Sequence, residues 1–149
     1  KEALTKLLTE KNILFRIMHH KPVYNIAEAA QVEGIEPSKI VKNMLMKDDN
    51  GFFLIVLQGN KRFDLDKIRA VRKSKKVRMA TPEEVKEQTG VEIGAVNLFS
   101  HPNVVVDKGV MKLEEINVHP DDNTKTVYFP AKFLKELVPG IIVADIGKV

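Results

Sequence analysis

The spacing of apolar and polar residues changes period several times along the chain, and each change marks an element. Residues 2–11 put Leu4, Leu7 and Leu8 on one face of a 3.6-residue repeat, which predicts a short amphipathic helix ended by Asn12. Ile13 to Met18 alternates loosely and reads as a first strand. His19-His20-Lys21-Pro22 follows as a loop, because the residue before a proline resists helical backbone. Asn25 with Glu28 three residues on forms a capping box, with the Glu28 side chain reaching back to the Asn25 N–H, for a helix over Ile26–Val32 that stops at Gly34.

Glu36-Pro37-Ser38 turns the chain into Ser38–Met46, a stretch with the length and composition of a strand. The turn signal Asp48-Asp49-Asn50-Gly51 closes it. The apolar run Phe52–Leu57 is then too short for anything but a buried strand. The pair predicts a central hairpin. Side chains alternate along a strand, so Ile40, Lys42, Met44 and Met46 share one face and Val41, Asn43 and Leu45 the other. Lys42 and Asn43 are thus polar groups inside an otherwise apolar strand. A lysine there either loses hydration and finds an acceptor, or runs its stem along the sheet and snorkels to the edge.

Gly59 ends the second strand, and Asp64 caps a helix over Leu65–Arg72 with Leu65, Ile68 and Val71 inward and Lys67, Arg69, Arg72 and Lys73 outward. Val77–Met79 is a short strand. Thr81-Pro82-Glu83-Glu84 is a helix start with both a capping box and proline at the first helical position, and Gly90 ends that helix. Residues 90–99 form a glycine-punctuated loop, and Val104–Val106 a buried strand ending at Asp107. Ile116–His119 and Thr126–Phe129 flank the turn-rich Pro120-Asp121-Asp122-Asn123 as another hairpin. Pro130 opens a last helix over Ala131–Leu137, Pro139-Gly140 stops it, and Ile141–Asp145 is a closing strand. About seven short strands and five helices that do not strictly alternate predict a single α+β domain with a mixed sheet.

At 149 residues, 44% hydrophobic and 30% charged, the chain has the size and composition of one soluble globular domain. No apolar run approaches the roughly 18 residues of a membrane helix, so no membrane partner is expected. No secretory segment precedes Lys1, and a start without Met points to trimming or a fragment. The absence of cysteine removes disulfide scaffolds and thiolate metal sites and fits a cytoplasmic protein. His19, His20 and His101 lack ligand-like spacing with acidic partners, so neither a metal nor another cofactor is expected. Net charge is only +4, but residues 61–78 hold nine Lys or Arg against two Asp. Such a basic stretch beside a mildly acidic remainder is either a polyanion-binding surface or an ordinary solvated helix face.

The order of these features resembles the YbaK/ProX family, the editing domains associated with prolyl-tRNA synthetase. The resemblance runs from His20 onward through HKPVYNIAEAA at 20–30, VKNMLMKD at 41–48, KRFDL at 61–65, GVEIGAV at 90–96, Val106-Asp107, and INVHP at 116–120 with Asn123 and Thr124. It implies a mixed, barrel-like sheet flanked by helices. It also implies a deacylase that hydrolyses the ester joining a wrong amino acid to the terminal adenosine of a tRNA, alone or beside an aminoacyl-tRNA synthetase, with no metal. The family's central lysine corresponds to Lys42, followed by Asn43, and its second-half histidine to His119. The expected catalytic set is therefore Lys42, Asn43 and His119. Substrate contacts are expected from His20 and from Gly94, Ala95, Val96 and Asn97. Contacts to tRNA phosphates are expected from Lys61, Arg62, Arg72, Lys73, Lys75 and Lys76.

The chemistry fits these residue types. An aminoacyl ester is already activated, so hydrolysis needs a positioned water, a cation for the developing oxyanion and a hold on the terminal nucleotide. The substrate's own 2′-hydroxyl helps to activate the water in the mechanism that the resemblance implies. Asn43 can join Lys42 only if the strand is bulged or twisted there. His119 also has a purely structural reading, as the residue that fixes the turn at Pro120. Leu98 stands where many family members carry proline, which puts the shape of the amino-acid pocket in question. A non-catalytic tRNA- or synthetase-binding module of the same fold is the alternative. A small-ester hydrolase is disfavoured by the lack of a Gly-x-Ser-x-Gly elbow and of any cysteine. A domain of this size is expected as a monomer.

Overall fold

The computed structural model describes residues 2–120 and 123–149. The Asp121-Asp122 part of the expected second hairpin turn lies outside the described residues. The chain begins with α1 (Glu2–Glu10), β1 (Arg16–His19) and α2 (Ile26–Glu33), followed by the hairpin β2 (Val41–Asp48) and β3 (Gly51–Gln58). Next come β4 (Arg62–Phe63), α3 (Leu65–Arg72), β5 (Arg78–Met79), α4 (Pro82–Thr89), β6 (Val104–Asp107) and α5 (Lys108–Met111). The chain ends with β7 (Glu115–Val118), β8 (Lys125–Pro130), α6 (Leu134–Leu137), β9 (Ile142–Ala144) and β10 (Gly147–Lys148).

The domain is mixed α+β, but the described residues form no closed barrel and no single sheet of seven strands. The described residues form ten strands in three sheets, ordered β5-β2-β3-β6-β9, β1-β8-β7 and β10-β4. The large sheet is mixed: β2 pairs antiparallel with β3 and β5, and β6 runs parallel to both β3 and β9. The two larger sheets are joined by a side chain rather than a ladder. The buried Asn117 amide on β7 accepts from Val41 N–H at 2.9 Å and donates to Lys39 O at 2.7 Å. That bridge replaces the strand pairing that closure would require.

β3 explains the central position of the hairpin. Its unbroken apolar run is buried on both faces, as a strand inside a layered domain must be. Phe53, Ile55 and Leu57 pack with Ile68 of α3, Val77, Val105 and Ile146. Leu54 and Val56 face the second core, with Leu45, Leu98, Val104, Val106, Ile116, Val127 and Phe129.

Local signals placed the helix ends. Thr81 and Glu84 close the expected capping box, Asp64 accepts from Asp66 and Lys67 N–H, and Gly34 ends α2 at φ 69°. At α2 one detail differs. Asn25 accepts from Glu28 N–H, but the Glu28 carboxylate reaches Tyr24 N–H at 2.8 Å instead of that of Asn25. The first strand begins at Arg16 rather than Ile13, because Ile13 is buried against α1 at the helix exit.

Candidate functional site

β2 has an incomplete outer edge, and the site lies along it. β5 pairs only with Met46 and Lys47, and Ala80 N–H donates to Leu45 O at 3.0 Å. At the other end Asn117 takes Val41 N–H. Between these two closures no strand among the described residues pairs with the outer edge at Asn43, whose other edge is paired with Val56 of β3. A cavity of about 650 Å³ opens there. Its walls are residues 40–43, the entry to α2 with Val23, Tyr24, Ile26 and Ala29, the 92–96 segment, and His119 with Asn123. The volume falls within the range of small-molecule sites, roughly 300–1,000 Å³.

The β2–β3 register runs without interruption from Val41↔Gln58 to Asp48↔Gly51. The bulge needed to bring Lys42 and Asn43 to one face is therefore absent. Both still reach the cavity, because it sits along the strand edge rather than over one face. Lys42 is half-buried, and its ammonium donates to the carbonyl of Lys61, so it finds an acceptor instead of snorkelling. Burial lowers its pKa from the ordinary lysine value. The Oδ1 of Asn43 is buried with no partner among the described residues. Unpaired buried acceptors are rare and costly, and one in a cavity wall calls for a donor from a ligand or water.

His119 reaches the cavity from the end of β7. Its Nδ1 lies 3.1 Å from Lys125 O and 3.2 Å from Thr126 Oγ1. His20 is not part of the cavity wall, but its ring meets that of His119 edge-on, with centroids 5.8 Å apart. Gly94, Ala95 and Val96 line the cavity from the 3-10 turn Ile93–Ala95. A Cβ added at Gly94 would meet nothing within 4 Å, so this backbone faces open space that a ligand can approach. Asn97 stands apart from these three. It is buried, donates to His119 O at 3.1 Å and accepts from Phe99 N–H at 2.8 Å, so it braces the wall from behind. Leu98 is 1% exposed and packs into the core, away from the cavity. At the mouth, Tyr24 is 79% and Ile93 54% exposed, and nothing in the apolar pattern had singled out either.

The basic segment divides. Arg72 is not available to a phosphate. Its guanidinium makes two hydrogen bonds to the buried Asp48 carboxylate, at 2.7 and 3.3 Å, and lies 4.0 Å over the Phe53 ring. Burial alone would raise the Asp48 carboxyl. Hydrogen bonds from Arg72 and Asn50 N–H, the Arg72 charge and a bond from Gly51 N–H outweigh that and hold its pKa below the usual range. Lys61 lies 3.6 Å from the buried Asp107, and Arg62 donates to Val149 O. Lys73, Lys75 and Lys76 are exposed and make no ion pair among the described residues. A second cavity, about 330 Å³, lies between α1 and residues 89–100; of the expected site residues only Asn97 lines it.

An α+β domain with a half-dry lysine and an orphaned amide at a strand-edge cleft defines a small polar-ligand site, and comparison with known proteins gives it a family. The chain belongs to the aminoacyl-tRNA editing domain family, whose model matches residues 20–137. It is 29% identical over 147 residues to the prolyl-tRNA editing protein ProX of Acetoanaerobium sticklandii, an alignment covering 93% of this chain and 90% of that protein. A proline–tRNA ligase of Thermosipho melanesiensis is 30% identical over 104 residues, covering 68% of this chain but only 18% of the ligase. A solved structure described as a candidate trans-editing enzyme for prolyl-tRNA synthetase superposes with a TM-score of 0.80 at 29% identity, covering 91% of this chain and 87% of that one. A hypothetical protein of known structure superposes at 0.85 with 26% identity, covering 97% and 99%.

Proposed function

We propose that residues 1–149 form one editing domain that hydrolyses the ester between a wrongly attached amino acid and tRNA. The observation that carries this reading is the pairing of an orphaned acceptor, Asn43 Oδ1, with a desolvated ammonium, Lys42, in the wall of one cavity. An aminoacyl ester end brings what each lacks. Its α-ammonium and 2′-hydroxyl are donors for Asn43, and its carbonyl oxygen gains negative charge as water adds. Lys42 has three donors and gives one to Lys61 O, which leaves two for the oxyanion or a terminal phosphate.

Water adds to the ester carbonyl carbon, and Lys42 with the backbone N–H groups of Gly94 and Val96 stabilises the tetrahedral oxyanion, the Ala95 N–H being already donated to Glu92 O. Collapse breaks the bond to the ribose oxygen and releases free amino acid and tRNA. The exposed Tyr24 ring at the mouth offers a stacking face for the terminal base. Lys73, Lys75 and Lys76, with Lys61 and Arg62 nearer the cleft, hold acceptor-stem phosphates without reading sequence. Mischarged tRNA is the substrate, and the likeness to proline–tRNA ligases makes a synthetase a fitting partner. The protein acts as a cytoplasmic monomer in this reading.

The test is a panel of tRNAs charged with Ala, Ser, Thr, Cys or Pro, with ester loss followed over time. At least one ester is expected to disappear faster than its spontaneous rate. Binding of tRNA with no acceleration for any ester would replace this reading with a non-catalytic docking module.

A further inference from the structure

We propose that Thr126 and His20 are positioning residues that lock His119 in the tautomer presenting a bare Nε2 to the cavity. The kinetic part of this inference rests on the deacylase reading; the tautomer itself does not.

The three side chains converge at one end of the β1-β8-β7 sheet. β1 delivers His20 just past its last residue, β8 delivers Thr126 from its second position, and β7 delivers His119 just past its end. His20 N–H donates to Thr124 O at 2.8 Å, and Met18 pairs with Thr126, so the register of these strands is pinned.

Proton positions follow from what each atom is able to do. A carbonyl oxygen only accepts. Lys21 O lies 2.8 Å from His20 Nδ1, so that nitrogen carries the proton, and in a neutral ring His20 Nε2 is bare. Thr126 Oγ1 lies 2.8 Å from that bare nitrogen and donates its single proton to it. The hydroxyl is then able only to accept from His119 Nδ1, 3.2 Å away, and Lys125 O at 3.1 Å makes the same demand. Both neighbours therefore require the proton on His119 Nδ1. Its Nε2 keeps its lone pair and has no hydrogen-bond partner among the described residues. Thr126 is fully buried, where valine would fill the same volume in a strand, so its hydroxyl is retained at a desolvation cost that these bonds offset.

A bare Nε2 is able to take a proton from water as the water oxygen bonds to the ester carbonyl carbon. The resulting imidazolium keeps its Nδ1–H between two acceptors. It returns the other proton to the departing ribose oxygen as the carbon–oxygen bond breaks, so protons and electrons balance. The opposite tautomer would present N–H to the cavity and could not accept.

The experiment reads the tautomer by ¹⁵N–¹H multiple-bond NMR of histidine-labelled protein at about pH 8.5, above the ordinary imidazole pKa, and reads kcat and KM for the ester cleaved fastest. Wild-type His119 is expected as the Nδ1–H tautomer. Thr126→Val removes one of the two acceptors at Nδ1 and leaves Lys125 O, so the Nε2–H tautomer should become detectable and kcat should fall about twofold or more, in proportion to the Nδ1–H form lost, with KM changed by less than about twofold. Thr126→Ser should restore both. His20→Ala, a change at a partly exposed site, should cause a smaller loss and serves if Thr126→Val does not fold. Wild-type His119 carrying its proton on Nε2, or a folded Thr126→Val protein with unchanged tautomer and kcat, would overturn the relay. A wild-type protein that cleaves no ester yet gains the Nε2–H tautomer in Thr126→Val would support the relay and refute the deacylase reading.

Discussion

Lys42 and Asn43 each depart from what a buried strand residue does, and in different ways. The lysine is partly desolvated and its pKa lowered, while the asparagine leaves a buried acceptor unpaired. Three predictions separate these roles. Lys42→Ala should lower kcat/KM for the cleaved ester by about 100-fold, as loss of an oxyanion partner does, with the circular dichroism spectrum unchanged; full activity would remove Lys42 from the mechanism. Because the functional form is the ammonium and its pKa is depressed, the enzymatic rate should fall on the alkaline side at a pH below the ordinary lysine value of 10.5. That limb is measured after subtracting spontaneous ester hydrolysis, and no such limb in Lys42→Arg is the matching expectation. Asn43→Ala should reduce activity yet leave urea stability equal or higher, since the orphaned acceptor goes with the side chain. A clear loss of stability would mean that Asn43 has a structural partner after all. Both residues were legible in the sequence, because a polar pair interrupts an apolar alternation. Thr126 was not, since threonine is an ordinary strand residue and only the fold puts it between two histidines.

At the level of elements, legibility follows the range of the interaction that makes each one. Helix ends were readable because caps join residues two to four apart, as Thr81 with Glu84 and Asp64 with Lys67 do. β4, β10 and α5 were missed: two-residue strands and a four-residue turn of helix carry no period. They exist because Asp107 gathers their neighbourhood, accepting from Ile146, Gly147 and Gly109 N–H at 2.9 to 3.0 Å. The same range effect misplaced Arg72, whose outward register on α3 concealed a partner 24 residues earlier in the hairpin turn. This ion pair predicts a stability effect in place of a binding one. Arg72→Ala strands a fully buried carboxylate and should cost about 3–5 kcal/mol in urea unfolding, with tRNA affinity per folded molecule unchanged. The Asp48 carboxyl has a folded pKa below its unfolded one. Its contribution is thus complete above the unfolded carboxylate range and lost as pH falls through the depressed folded value. Arg72→Ala should accordingly flatten the acid side of the stability curve. A variant as stable as the parent would show that the pair is not what holds α3 to the hairpin.

Across the whole molecule, the cleft and the free lysines sit at opposite ends of β2. Lys42 lies at the cleft end, whereas Arg72, tied to Asp48, brings the end of α3 and with it Lys73, Lys75 and Lys76 to the hairpin end. Six residues of strand separate the ends by about 20 Å, more than twice the Debye length of about 8 Å at physiological salt. Direct electrostatic influence of these lysines on the chemistry at Lys42 is therefore screened, and any effect they have must pass through a ligand long enough to touch both ends. An acceptor stem is such a ligand; a free aminoacyl ester is not. Replacing Lys73, Lys75 and Lys76 together by Glu should raise KM for charged tRNA and leave kcat within about twofold. It should also reduce the slope of log affinity against log salt by about 0.7–0.9 for each phosphate no longer neutralised. The same protein should cleave a short aminoacylated oligonucleotide like the parent. Equal losses on tRNA and on the short substrate would place the damage in the cleft or the fold, and an unchanged salt slope would move the stem to another face. The segment's total charge is a poor guide to this outcome, because Lys61, Lys67, Arg69, Arg72 and Arg78 are already paired with carboxylates. Arg62 is held by Val149 O, so Lys73, Lys75 and Lys76 are the three of the nine whose side chains make no ion pair or hydrogen bond among the described residues, which is why the prediction is made for them.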